Sequence, residues 1–329
     1  MAPRRLSREP LARAAVGLAL GLPLGLFLIW GAGQLGGAQL LRARTAEAGG
    51  WSPDALTARV GETLHLRLTS EDVLHGFAIG QSDQPAIEVP PGEIVDVELT
   101  FNRPGRYVFY CTRWCGPNHW RMRGTIEVEG EGATETPPLP AYVALGIDID
   151  APHPAAVAPS RRPSAERGAA VGVEIPARLL SRESNLGLSP VELWQALRAE
   201  PGTRDLADSQ VWDLAAWAMR ATVTDEMVAE GQTLFAENCA ACHGRDGAGE
   251  AAAARPTPPA TTASHAHSKE PVDFTDPQAM LGASPALLQG KILRGGMGTG
   301  MPYWGPIFTE DQMWALVSYL WNFQFEGWL

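Results

Sequence analysis

The chain has four cysteines, and two short motifs use all of them. One is Cys239-Ala-Ala-Cys242-His243. Two thiols at this spacing can add to the two vinyl groups of a haem, and the histidine that follows can coordinate its iron. A thioredoxin-like pair or half of a zinc site would also use two such cysteines, but neither needs His243. A second iron ligand must come from far downstream. Gly295-Gly-Met297-Gly-Thr-Gly-Met301-Pro-Tyr-Trp-Gly offers two methionines in a glycine-rich loop. The other motif is Cys111-Thr-Arg-Trp-Cys115-Gly-Pro-Asn-His119-Trp-Arg-Met122. Thiolate, imidazole and thioether together suit copper. A mononuclear blue site needs one cysteine. Two thiolates four residues apart can bridge two copper ions, each completed by one imidazole. His119 supplies one, and His75 is the natural source of the other. A disulfide between Cys111 and Cys115 would leave His75, His119 and Met122 without a role.

These residues need rigid elements under them. Thr63 to Thr69, Val73 to Ile79, Ile94 to Phe101, Arg106 to Tyr110 and Gly124 to Glu129 read as strands. Short strands separated by turns predict a β-sandwich. Its last loop would carry the cysteines, and His75 would reach them from a neighbouring strand. Thr224 to Ala241 reads as a helix with a capping threonine and an acidic first turn. Its face is Val228, Gly231, Leu234 and Phe235. Thr309 to Phe323 reads as a closing helix, with Met313, Trp314, Val317 and Leu320 at helical spacing.

The haem-type segment, residues 224–325, resembles the class I cytochromes c. Its Met-Pro-x-x-Gly stretch is similar to their axial loop, which implies Met301 as the second iron ligand, with Met297 the alternative. Residues 51–130 resemble the cupredoxin-like CuA domain of cytochrome c oxidase subunit II, in its compact B-type form. The matching stretches are Asp-Val-Leu-His-Gly-Phe, Pro-Pro-Gly-Glu, Arg-Pro-Gly-Arg-Tyr and C-x3-C-G-x2-H-x2-M. The resemblance implies a binuclear CuA centre. Cys111 and Cys115 would bridge, His75 and His119 would each bind one ion, and Met122 and the backbone carbonyl of Arg113 would be weak axial ligands.

The remaining chain divides by composition. Residues 1–13 are a basic cytoplasmic N-terminus, with Arg4, Arg5, Arg8 and Arg13. Residues 14–41 carry no charge and are expected to anchor the chain in the cytoplasmic membrane by a single pass, with everything after them outside. A cleaved signal peptide is the competing expectation. Residues 131–180 are rich in Pro, Ala, Ser and Gly and read as a partly extended linker. Residues 181–222 hold two helical patterns. These are either a relic of a duplicated cytochrome that lost its haem or an amphipathic pair packing on the cytochrome. Ala251 to Glu270, with His265 and His267, reads as a solvated insertion. His65 and His153 receive no role.

Charge bears on partners. The whole chain is at −11, and from Asp225 onward 12 acids against 5 bases give −7. An acidic surface steers a basic donor such as a small cytochrome c and argues against nucleic acid. No acid/base pair, nucleophile or substrate pocket stands out. The expected role is subunit II of a haem–copper terminal oxidase: an oxidoreductase subunit without an oxygen-reducing site of its own. It would pass electrons from the donor, through haem c and CuA, to a multi-helix catalytic subunit. A copper- and haem-bearing subunit of a nitric oxide reductase, or a freestanding membrane-tethered carrier, would use the same ligands.

Overall fold

The computed structural model describes residues 37–82, 84–116, 118–132, 138–249, 271–296 and 301–329. The expected span up to residue 36, His265, His267 and Met297 lie outside the described residues. Among those described, no helix is long and apolar enough to cross a membrane.

The first part is a β-sandwich. Its strands are β1 Gln39–Ala43, β2 Trp51–Ser52, β3 Ala55–Arg59, β4 Thr63–Ser70, β5 His75–Ile79, β6 Ile87–Val89, β7 Val95–Thr100, β8 Gly105–Tyr110 and β9 Arg123–Glu129. One sheet runs β2-β1-β4-β7 and the other β3-β9-β8-β5-β6. In β4, Leu64, Leu66 and Leu68 are buried while Thr63, His65 and Arg67 face out, so period-two alternation sets the register. Trp51, Phe77 and Phe109 fill the middle, each pair of rings 5.6 to 5.8 Å apart.

The sandwich starts earlier than its composition implies. Gln39–Leu41, the end of the expected span 14–41, belongs to β1. That strand pairs in parallel with β4 from Gln39↔Leu66 to Ala43↔Ser70. Leu41 and Ala43 are fully buried. Their apolar character serves the sandwich core.

The helical part contains α1 Ala141–Ala144, α2 Ala165–Ala170, α3 Arg182–Leu186, α4 Pro190–Arg198 and α5 Asp208–Arg220. Then come α6 Asp225–Asn238, α7 Ala240–His243, α8 Pro277–Met280, α9 Pro285–Arg294 and α10 Glu310–Leu320. Helices α6 and α10 cross where a Cβ on Gly231 would lie 2.0 Å from the Ala315 carbonyl and 2.8 Å from the Tyr319 Cβ. Only glycine permits that approach. Helix α10 is buried on every side from Met313 to Leu320, beyond the single face its spacing predicts. Its far side is covered by residues 138–222.

That covering corrects the linker expectation for 131–180. Ile149, Ala155, Ile175 and Leu179 are buried in the same apolar core as Met313, Leu316 and Trp321. Spaced singly among prolines, these residues show no period, yet each docks on the helices. The Asp150 carboxylate also takes both Arg294 amino groups, at 2.5 and 2.6 Å.

Residues 181–222 share this core and, together with α2 from the expected linker, also repeat its geometry. Helices α2 and α5 cross where a Cβ on Gly168 would lie 2.0 Å from the Asp213 carbonyl and 2.8 Å from the Trp217 Cβ. This is the Gly231 crossing over again, against two residues one helical turn apart. The Gln210 carboxamide accepts from the Ala207 N–H, as the Gln312 carboxamide accepts from the Thr309 N–H. Where α10 has Ala315, α5 has buried Asp213, which accepts from the Ser164 N–H at 2.8 Å and from Arg167.

Candidate metal centres

The predicted copper donors converge at one end of the sandwich. His75 begins β5, Cys111 follows β8, and Cys115 and His119 lie in the loop that leads to β9. Cys111 Sγ is 3.6 Å from His75 Nδ1 and 3.3 Å from the Arg113 carbonyl oxygen. Cys115 Sγ is 3.3 Å from His119 Nδ1 and 3.1 Å from Met122 Sδ. His75, Cys111 and Cys115 present donor atoms within 4.8 Å of one another, all buried. No disulfide joins the two cysteines. Two thiols, two imidazole Nδ1 atoms, a thioether and a carbonyl therefore face a common space. This set fits a thiolate-bridged copper pair.

Local turns build the loop. The Cys111 N–H donates to the Met122 carbonyl at 3.0 Å, closing it, and Asn118 adopts a left-handed φ of 56° just before His119. Gly76 sits so close to Thr112 that a Cβ would meet the Thr112 Oγ1 at 2.0 Å, so glycine lets β5 and the cysteine loop touch. The Gly76 N–H donates to Cys111 Sγ at 3.5 Å.

Electrostatics favour a thiolate. A hydrogen bond from Cys115 holds the Cys111 thiol well below its usual range, against the opposing effect of burial. The same contact, together with burial, pushes Cys115 up. Burial alone would lower His75, but hydrogen bonds to Cys111 and Asp72 outweigh it and raise the imidazole.

Asp72 is a residue that motif reading missed. Its carboxylate lies 2.7 Å from His75 Nε2 and accepts from the Thr45 and Val73 N–H groups at 2.6 and 2.7 Å. Burial opposes its ionisation, but these hydrogen bonds bring it down to about 2. The ring is thus held with Nδ1 toward the sulfur, the way outer carboxylates orient metal-binding histidines. Spacing gave a signal, since Asp72 stands three residues before His75 in the matched stretch. Trp51 was missed as well. Its indole N–H donates to the Met122 carbonyl at 3.2 Å from a strand absent from the predicted set.

The haem-type motif occupies α7 and its cap. Cys239, Cys242 and His243 fall within one helical turn, with Cys239 and Cys242 as free thiols. His243 Nδ1 lies 3.3 Å from the Val272 carbonyl, and its ring stacks on Phe274 at 4.5 Å. That leaves Nε2 for a metal. Burial lowers the imidazole, opposed by the Val272 carbonyl. Burial beside Cys242 raises the Cys239 thiol to about 12. Met301 is half-buried and, like Cys239, packs on the helical core. The Gly296 N–H donates to its carbonyl at 3.2 Å, closing the base of the methionine loop. Adjacent thiols, an oriented imidazole and a methionine loop on one apolar core fit a covalently held haem.

Comparison with known proteins assigns both segments. Residues 54–129 match the family described as cytochrome c oxidase subunit II, periplasmic domain. Residues 228–324 match cytochrome c. Two cytochrome c oxidase subunit 2 chains of Thermus thermophilus are each 39% identical over 84 residues. That stretch is 26% of this chain and 62% or 49% of theirs, less than two thirds of either relative. A chain of a heme-copper terminal oxidase dimer is 25% identical, covering 36% of this chain and 99% of that one, with a TM-score of 0.25. With the donor atoms already gathered at each site, the chain joins a periplasmic domain of the cytochrome c oxidase subunit II family to a cytochrome c domain.

Proposed function

We propose that this chain is the electron-accepting subunit of a haem–copper terminal oxidase, working beside a multi-helix catalytic subunit in the membrane. The observation that carries this reading is the convergence of His75, Cys111, Cys115, His119 and Met122 at the head of a sandwich, on a chain that also bears the haem motif. When bound, the copper pair and the haem would supply one-electron storage and outer-sphere transfer. The residues themselves do the holding. Cys111 and Cys115 would hold the copper through sulfur, His75 and His119 through Nδ1, and Met122 and the Arg113 carbonyl would complete the set. Cys239 and Cys242 would tether the porphyrin, and His243 and Met301 would supply its iron with an imidazole and a thioether. Burial excludes water from the thiolates, and the sandwich keeps the ligands still as charge changes.

In this reading electrons arrive from a basic soluble donor, pass the haem and then the copper pair, and leave for the catalytic subunit. In the same reading the uncharged run expected over 14–41, short of its β1 end, anchors the chain, which would stand both centres on the outer side of the cytoplasmic membrane. Metal analysis and electron paramagnetic resonance of the mature chain test the site. Two copper ions per chain sharing one unpaired electron are expected, and Cys115→Ser should abolish that signal while leaving the haem spectrum. A single copper ion per chain would sink the reading. Turnover of the purified complex with oxygen and with nitric oxide separates the oxidase from a nitric oxide reductase.

A further inference from the structure

Among the described residues the two domains touch at a seam around Gly80, Gln81 and Arg123. There residues 303–307 of the cytochrome, just after Met301, lie against the start of the strand that leaves the copper site. Arg123 opens β9 directly after Met122. Its Nη1 donates to the Tyr303 carbonyl at 2.8 Å, and its guanidinium sits 5.2 Å over the Trp304 ring. Beside it, the Gln81 N–H donates to the Ile307 carbonyl at 2.7 Å, and the Gln81 carboxamide donates to the Gly305 carbonyl at 2.6 Å. A Cβ on Gly80 would lie 2.1 Å from the Pro306 carbonyl, so the backbones meet without side chains between them. Tyr303 to Ile307 follow Met301 within six residues.

From these contacts we infer that Arg123 couples the two redox centres by bridging the copper strand to the segment after Met301, while Gly80 and Gln81 dock the two domains. The bridge runs from Met122 along the backbone to Arg123, across one hydrogen bond to the Tyr303 carbonyl, and back through Pro302 to Met301. On the copper side, the Met122 carbonyl also accepts from the Cys111 N–H at 3.0 Å, which adds a bridging cysteine to the path. One electron crosses: the iron side is oxidised and the copper side reduced, with no proton or covalent bond exchanged.

The choice of arginine supports this role. Arg123 is half-buried, and its Nη2 finds no hydrogen-bond partner among the described residues. An apolar side chain of like size would fill such a seam at less cost. The guanidinium is there for what Nη1 and its plane touch.

The inference rests on the proposed serial flow, and the test separates the two. In the full chain carrying haem and copper, a photoexcited dye supplies one electron to the haem. The concentration-independent passage to copper is then timed optically. Hydrogen exchange at the Gln81 amide, in the same chain with and without copper, reports docking. Arg123→Met should keep the Gln81 amide protected and both centres' spectra unchanged. Transfer should slow, because the hydrogen bond that carries the path from β9 to the Tyr303 carbonyl is gone. Gly80→Val, away from any ligand, should expose the Gln81 amide and slow transfer as well. An unchanged rate in Arg123→Met with docking intact would overturn the bridge and leave serial flow standing. Absence of any concentration-independent transfer in the parent chain, with Gln81 protected, would overturn both.

Discussion

At the residue scale, two of the candidate imidazole ligands are aimed by a neighbour that is not itself a ligand. Asp72 pins His75 Nε2, and the Val272 carbonyl pins His243 Nδ1. Removing such a partner typically costs about 10–100-fold in metal affinity. Asp72→Ala should therefore weaken copper binding by that order in a chelator competition, with the fold intact. The same carboxylate carries a pH signature. Its pKa falls from an ordinary 3.8 to about 2 on folding, so the folded state binds the proton less readily than the unfolded one. Its stabilisation is present above the ordinary value and is lost as pH falls from there through about 2. Acid unfolding of copper-free Asp72→Asn should lack that component. On the haem side, Met301→Leu should lose the six-coordinate low-spin spectrum while Met297→Leu keeps it. The reverse result would reassign the ligand.

At the scale of elements, one device appears twice: a glycine that lets two helices cross in near-contact. Gly231 serves α6 and α10, and Gly168 serves α2 and α5. Forcing a methyl group into such a crossing costs about 1–3 kcal/mol. Gly231→Ala and Gly168→Ala should each lower the unfolding free energy by that much in denaturant titration. The Gly168 change should leave the haem-region spectrum intact, because its crossing lies away from α7. Pattern reading located α6 and α10 because a capping threonine and a regular apolar face mark each one. It located β4, β5, β7, β8 and β9 from strand-forming runs bounded by turn residues. Strands β2 and β6 are two and three residues long, too short to show any period. β1 was hidden because its leucines continue an uncharged run and read as membrane.

At the scale of the whole molecule, charge and packing set how the chain meets others. With a formal charge of −11, concentrated at −7 in the 12 acids and 5 bases from Asp225 onward, the chain would draw a basic partner by long-range attraction. The Debye length falls from about 10 Å at 0.1 M salt to about 3 Å at 1 M. The second-order rate of reduction by a basic cytochrome c should fall steeply over that range. A flat dependence would exclude electrostatic steering. Residues 138–222 are part of this whole as well: they wall in α10, whose buried circumference no single partner helix could cover.

The sequence by itself determined which residue types stand at metal-binding spacing. Cysteine spacing, an adjoining histidine and soft donors in one loop are local facts, legible because thioether attachment and thiolate bridging need fixed short separations. It also indicated which distant residue, His75, would complete the copper set. Tertiary structure decided what no short window contains. It set Asp72 behind His75, buried a proline-rich stretch through single apolar residues, and laid Arg123 against Tyr303, 180 residues away. Contacts of that kind depend on how two separately folded cores meet, and periodicity reports only the face an element turns to its own core.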